Sequence, residues 1–311
     1  MRVASAAFPD MLVNQLGTLA LRQNQLQNQA ATGQRVQYPE DDPAAMREAM
    51  AGQAEAGAVA QYQNNIGTLQ GVSQATYSAM KSVQTITDRV NQIATQADGT
   101  KSPADLQNYA TEVGQLLQEA VQLANTQYQG NYLFGGTKSD QPPFVATTNS
   151  GGLVTGVSFQ GNQSLPQSEI AQGVTLSAQV VGANSTGSGP PGLFSDSRSG
   201  ADLFNHLISL QNHLLSGNIT AIKSTDAPQL ASDESNLINQ MSSVGAVQSR
   251  LDTDSTLAQD QTTALTKQVS NLANADLAQT LVQLSQAQNA YRAALQSGAL
   301  IMNNSLLDYL K

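Results

Sequence analysis

The chain reads as a mainly α protein: a long antiparallel helical bundle or coiled coil built from its N- and C-terminal helices, with a small β-rich domain inserted in the middle. Three observations predict this. Apolar residues recur at alternating four- and three-residue steps near both ends of the chain. Prolines stand at 9, 39, 43, 103, 142, 143, 166, 190, 191 and 228, which leaves long proline-free stretches for helices. Between those stretches the heptads vanish, and short runs alternate apolar with small or polar residues among turn formers.

Taken in order, the first helix follows Pro9 and carries Leu12, Leu16, Leu19 and Leu26 in heptad step, with Arg22 its only charge between Met11 and Thr32. Gly33 is its stop. Asp42 reads as an N-cap with Pro43 at the first helical position. The second helix shows Val83, Ile86, Val90 and Ile93 in step and stops at Asp98-Gly99. Ser102-Pro103-Ala104-Asp105 is a capping signal. It opens a third helix, with Leu106, Tyr109, Val113, Leu116 and Leu123 in step, that is expected to end near Tyr128 to Gly130.

Val154 to Phe159 and Val174 to Val181 read as strands, and Asn184 to Pro191 as a mobile loop or linker. Helix resumes from Ala201 to Ser216, with Leu203, Leu207, Leu210 and Leu214 on one face. Beyond Pro228, residues Leu237, Met241, Val244, Leu251, Ala258, Leu265, Val269 and Leu272 keep one phase. A one-residue slip between Leu272 and Leu277 marks a stutter or a break between helices. The last helix then carries Leu277, Leu281, Leu284, Tyr291, Leu295, Met302 and Leu306, with Gln288 and Gly298 at the two points of the seam that are not apolar. Five segments result: an N-terminal helix over 1–42, helical bundle over 43–140, β-rich insertion over 141–200, helical bundle over 201–270, and a C-terminal helix over 271–311.

Composition narrows the function. Only 12% of residues are charged, the net charge is −9, and there is no cysteine. An acidic chain without a Lys/Arg cluster is not built for nucleic acid, and no run reaches the roughly eighteen apolar residues of a membrane span. The first nine residues hold no apolar stretch of the length a Sec signal needs. The two terminal seams are edged by Gln, Asn, Ser and Ala rather than Glu and Lys, which suits helices covered on several sides by neighbours. Intermolecular packing through both ends is therefore expected.

No catalytic, cofactor or metal constellation stands out. His206 and His213 lie seven apart on one helix face with no carboxylate three or four residues after either, so they read as ordinary, partly exposed side chains rather than ligands. Asp41-Asp42 reads as helix capping and Asp252 with Asp254 as a solvated face. Gly135-Gly136-Thr137-Lys138 lacks the spacing of a phosphate loop.

Two motifs then carry a resemblance. Thr32-Gly33-Gln34-Arg35-Val36 with Glu40-Asp41-Asp42-Pro43 resembles the N-terminal signature of bacterial flagellins and their relatives. Asn131-Tyr132-Leu133-Phe134-Gly135-Gly136-Thr137-Lys138, then Pro143-Phe144, resembles the hook-associated protein 3 (FlgL-type) family. So do Asn271-Leu272-Ala273, Leu284-Ser285-Gln286-Ala287-Gln288, Tyr291-Arg292-Ala293-Ala294 and the ending Ser305-Leu306-Leu307-Asp308-Tyr309-Leu310. The resemblance implies a non-enzymatic structural subunit that joins the flagellar hook to the filament. It implies export without a cleaved Sec signal through the flagellar type III apparatus, with Met1 to Asp10 as export determinant. It implies terminal helices packed in an inner tube, and a location outside the cell in the flagellum. The implied partners are copies of itself in a ring, hook-associated protein 1, flagellin, and a flagellar export chaperone on the C-terminal helix, with no nucleic acid and no membrane insertion. Flagellin itself is the nearest rival. An exported peptidoglycan hydrolase and a type III needle-tip or translocator protein are more distant ones.

Overall fold

A computed structural model describes residues 7–309, with side-chain surroundings from Asp10 to Leu300. The chain divides into two compact units, Met1–Val59 with Asp260–Lys311 and Ala60–Gln259. The first helix, α1 (Ala7–Thr32), ends at Gly33, whose φ of +71° is a left-handed stop that a Cβ would resist. The second, α2 (Pro43–Gln96), begins under the Asp42 cap: Asp42 Oδ1 accepts from the Ala45 N–H at 3.0 Å. α3 (Pro103–Ala124) opens on a reciprocal capping box between Ser102 and Asp105.

That third helix is shorter than expected. Asn125 caps it, and its side chain is drawn into the next element: Nδ2 donates to the Phe144 carbonyl at 2.8 Å while Oδ1 accepts from the Phe144 N–H at 2.9 Å. The residues expected to complete the helix form instead the hairpin β1 (Gln127–Tyr128) and β2 (Asn131–Tyr132).

The insertion is a set of small sheets. β3 (Phe144–Thr148) pairs antiparallel with β4 (Val154–Phe159), and β5 (Ser168–Ala171) with β6 (Val174–Leu176). β7 (Val181–Asn184) runs parallel to β8 (Gly192–Asp196), which pairs antiparallel with β9 (Ala201–Asp202). The single strand expected over Val174 to Val181 is thus split between β6 and β7. The expected linker after it is knitted by Asn184, whose Oδ1 accepts from the Thr186 and Gly187 N–H groups and whose Nδ2 donates to the Ser188 and Pro190 carbonyls. Asn162 does similar work for the Gly135–Lys138 turn, bonding the Thr137 N–H and hydroxyl.

Next come α4 (Leu203–Ser216) and the short α5 (Ile219–Ala221). A π turn (Ile222–Asp226) leads into α6 (Ala227–Ala273), and α7 (Leu277–Tyr309) ends the chain. Within the Ala60–Gln259 unit, α2 and α6 run antiparallel, registered by Asn91 to Glu234 at 2.9 Å and Gln70 to Asp252 at 2.8 Å. Leu230, Leu237, Val244 and Leu251 recur every seven residues along α6 and are all buried, the first three in a core that includes Val83, Ile86, Val90 and Ile93 of α2. Each such side chain contributes about 1.5–3 kcal/mol by leaving water.

The β insertion is rooted on α4 by five phenylalanines. Phe134, Phe144, Phe159, Phe194 and Phe204 are linked by ring-centroid distances of 5.1–5.3 Å, with Phe194 meeting Phe134 and Phe144 edge to face. Because Phe204 belongs to α4 and Phe144 follows the Asn125 anchor, the helices fix where the sheets sit.

A candidate assembly surface on the terminal helix pair

In the terminal unit α1 and α7 lie antiparallel. Leu12 meets Gly298 at one end, and Gln34 bridges Asn274 at the other. A Cβ on Gly298 would come within 2.5 Å of Leu12 Cδ2, so the Leu12 side chain would have to shift to admit one. On α1 the expected seam is the one used: Leu12, Leu16 and Leu19 are half-buried and Leu26 is buried.

On α7 the face turned to α1 is displaced from the leucine seam. It runs Thr280, Leu284, Ala287, Tyr291, Ala294 and Gly298, small residues alternating with larger ones in the same four-and-three cadence. Leu284, Tyr291 and Gly298 belong to both rows. Leu277, Leu281 and Leu295 belong only to the outer row and are 49%, 56% and 45% exposed. Val282 and Leu300 extend this uncovered surface on α7, as Met11, Val13 and Leu21 do on α1. Met302 and Leu306 lie outside the residues whose side chains are described, as does the greater part of the segment Met1 to Asp10.

Single exposed leucines are ordinary; here three of them, Leu277, Leu281 and Leu295, lie on one side of a charge-poor helix. Periodicity alone could not separate these rows, because a helix presents both phases and the leucines draw the eye. The signal that distinguishes them is residue size, since close antiparallel helices need Ala, Thr or Gly at the crossing.

The Thr32–Pro43 motif holds the open end of the pair. The Arg35 and Val36 N–H groups donate to the Ala273 carbonyl at 2.7 and 3.2 Å, and the Ala275 N–H donates to the Gly33 carbonyl at 2.8 Å. Arg35 reaches further: Nη2 donates to the Leu272 carbonyl at 2.7 Å and Nη1 to Asp42 Oδ2 at 3.1 Å. Val36 is buried. Asp41 Oδ2 accepts from the Gln37 and Tyr38 N–H groups at 3.0 and 2.9 Å, folding the turn before Pro43.

One clasp thereby satisfies backbone groups freed at two helix breaks, α1 to α2 and α6 to α7. The backbone donors hold the Asp41 carboxyl below its ordinary range; the Ala45 N–H and then Arg35 do the same for Asp42. Gly33, Arg35, Val36, Asp41, Asp42 and Pro43 are therefore brought together, and the slip between Leu272 and Leu277 is a true break at Asn274–Asp276.

The two histidines depart from the reading as ordinary, partly exposed side chains. His206 is buried against Asp233 and His213 is half-buried against Asp226, each at 2.7 Å, so carboxylates absent from the neighbouring turns of α4 arrive from α6 and the π turn. No group of three or more His, Cys, Asp or Glu side chains able to hold a metal occurs among the described residues. No described helix is long and apolar enough to cross a membrane.

Known proteins agree with this geometry. Residues 13–139 match the model of the bacterial flagellin N-terminal helical region, a stretch that includes most of α1, the Thr32–Pro43 motif, α2 and α3. No curated protein matches by sequence. Among solved structures, a Vibrio parahaemolyticus chain assigned as a flagellar hook-associated protein superposes with a TM-score of 0.64 at 21% identity, over 75% of this chain and 100% of its own. Hook-associated protein 3 of Legionella pneumophila gives 0.60 at 14% identity, over 72% and 98%. Bacillus cereus FlgL gives 0.55 at 22% identity, over 71% and 99%. With the flagellin N-terminal helical region matched over residues 13–139 and this fold shared over most of its length, the chain has the fold of the hook-associated and FlgL structures.

Proposed function

We propose that the protein is a subunit of the junction between flagellar hook and filament, working by packing rather than by chemistry. The observation that carries this reading is the uncovered row Leu277, Leu281 and Leu295 on a helix pair whose other row is already closed against α1. Such a pair is complete as a fold and incomplete as a surface. The neighbours that fit it are helices of the same character: copies of this chain in a ring, hook-associated protein 1 on one side and flagellin on the other. The closeness in fold to proteins named hook-associated protein 3 and FlgL supports the junction over the filament itself.

Before assembly the same apolar row needs a cover, and a cytosolic export chaperone on α7 supplies one; removing residues 287–311 should then abolish chaperone binding while the β insertion stays folded. Passage through the type III apparatus, with the extreme N-terminus as determinant, completes the reading and places the assembled protein outside the cell.

Deleting the gene tests the role. Hooks without filaments, together with unassembled flagellin in the medium, are the expected result. Normal filaments would show that the chain is dispensable to the junction, and would favour a minor filament subunit.

A further inference from the structure

The two histidine–aspartate pairs form a ladder that the junction reading does not use. His206 and His213 stand seven residues apart on α4, and Asp233 and Asp226 stand seven apart opposite them. Because the two segments run antiparallel, the order is mirrored. His206 Nδ1 lies 2.7 Å from Asp233 Oδ2, and His213 Nδ1 lies 2.7 Å from Asp226 Oδ2. Each carboxylate spends its other oxygen on α4 or its start: Asp233 Oδ1 accepts from the Asp202 N–H at 2.8 Å, and Asp226 Oδ1 from the Ser209 hydroxyl at 2.7 Å. Both carboxylates are buried, Asp226 completely.

The backbone departs from regular helix at one of these two rungs. The π turn Ile222–Asp226 widens the helix so that the Ala227 N–H bonds the Ile222 carbonyl, and both Ile222 and Asp226 are fully buried. Such bulges cost regular hydrogen bonding and recur at functional positions. Here the widened turn brings Asp226 to Ser209 and His213 while Ile222 enters the core.

We propose that these two pairs are a proton-operated latch that fastens α4 to the start of α6 while His206 carries its proton and loosens when that proton is lost. A buried imidazolium between carboxylates is held by charge and hydrogen bond together; a neutral imidazole leaves the buried carboxylate without its counter-charge. The charged groups acting on His206 are Asp233 and Asp226 from the α6 side and Asp202 at the start of α4. His213 meets Asp226 and, at 3.5 Å, the Ser209 hydroxyl.

Burial of His206 works against its charge, but the Asp233 hydrogen bond and charge, then Asp202 and Asp226, outweigh it and raise its pKa above 6.5. A folded-state value raised above the unfolded one gives stabilisation that is complete below 6.5 and lost as pH rises through the folded value. The latch thus closes on the acid side and loosens on the alkaline side. Its cargo is α4, which carries Phe204 and so the root of the β insertion.

The full-length chain tests this directly, because two histidines give only two imidazole signals to follow by nuclear magnetic resonance. Amide hydrogen exchange of α4 and residues 219–233 is read over the same pH series, corrected for intrinsic exchange. The expected result is a His206 titration above 6.5 and an approximately tenfold or greater loss of α4 protection across that titration. His206→Gln should remove the protection step, and Asp226→Asn should weaken it. A His206 titration at or below 6.5, or a protection step that persists in His206→Gln, overturns the latch. Should His206→Gln fail to fold, the wild-type titration and exchange decide alone: if protection does not change through the His206 titration, the proposal is wrong.

Discussion

Replacing the outer leucine row tests whether the two faces of α7 serve different partners. Leu277, Leu281 and Leu295 are each about half exposed, so roughly half of a leucine's 1.5–3 kcal/mol transfer energy remains to be gained at an interface. Together that is about 2–4 kcal/mol for each chain, or roughly 30- to 1000-fold in association at 1.4 kcal/mol per decade. The triple variant Leu277→Ser, Leu281→Ser, Leu295→Ser should therefore lose assembly. Its α1–α7 pairing should lose no more than about 0.5 kcal/mol for each substitution, because exposed side chains cost little to replace. Ala287→Leu is the opposite case. Ala287 is 8% exposed on the inner row, and overpacking it should cost about 1–3 kcal/mol of pairing. Immunoblotting of sheared flagella reads assembly, and hydrogen exchange of α1 amides reads pairing. Wild-type incorporation of the triple variant, or equal loss of α1 protection in both variants, would refute the separation of the two rows.

Three further outcomes follow from the geometry. Arg35→Ala removes the donors to Leu272 and Asp42 and should destabilise the clasp by about 1–2 kcal/mol, visible as faster exchange at Ala275 and Val36; unchanged exchange there would remove Arg35 from the clasp. Gly298→Val should splay the helix pair at Leu12 and slacken the N-terminal half of α1 while leaving the Gln34–Asn274 bridge in place, as amide exchange along α1 will show. Asp196 accepts three bonds from Arg198, through its backbone N–H, Nε and Nη2, and one from the Gly192 N–H, and its carboxyl is lowered to about 2, chiefly by the Arg198 side chain. A depressed carboxyl stabilises above its unfolded value of 3.8, and that contribution is lost as pH falls through about 2. Asp196→Asn should therefore cost about 1–2 kcal/mol near neutrality, and should flatten the decline in unfolding midpoint of the Ala60–Gln259 unit between pH 4 and pH 2.

Most of the architecture is legible in the sequence because helices announce themselves by period. The Ser102–Asp105 box, the Asp42-Pro43 start, the Gly33 stop and the slip before Leu277 each mark a real boundary, since capping is a local matter decided within four residues. What resists reading is decided across distance. Nothing near Leu123 says that α3 stops at Ala124, because the reason is Asn125 reaching Phe144. The His206 and His213 partners lie on another helix, and no neighbouring turn of α4 hints at them. On α7 the sequence displays a leucine row plainly, and the row that closes on α1 is the quieter one of alanine, threonine and glycine.

The clasp has a kinetic consequence. Arg35 and the Leu272 carbonyl it holds are 237 residues apart. α1 therefore waits for its partner while the whole Ala60–Gln259 unit is made between it and α7. Contacts of such separation carry the greatest loop-closure cost and form late, and a lone 26-residue helix is only marginally stable in water. Throughout synthesis, and whenever the end of the chain is withheld, Leu12, Leu16, Leu19 and Leu26 remain unpaired. The schedule of the whole terminal unit is set by the arrival of its tail, so a protein that sequesters α7 also keeps α1 waiting.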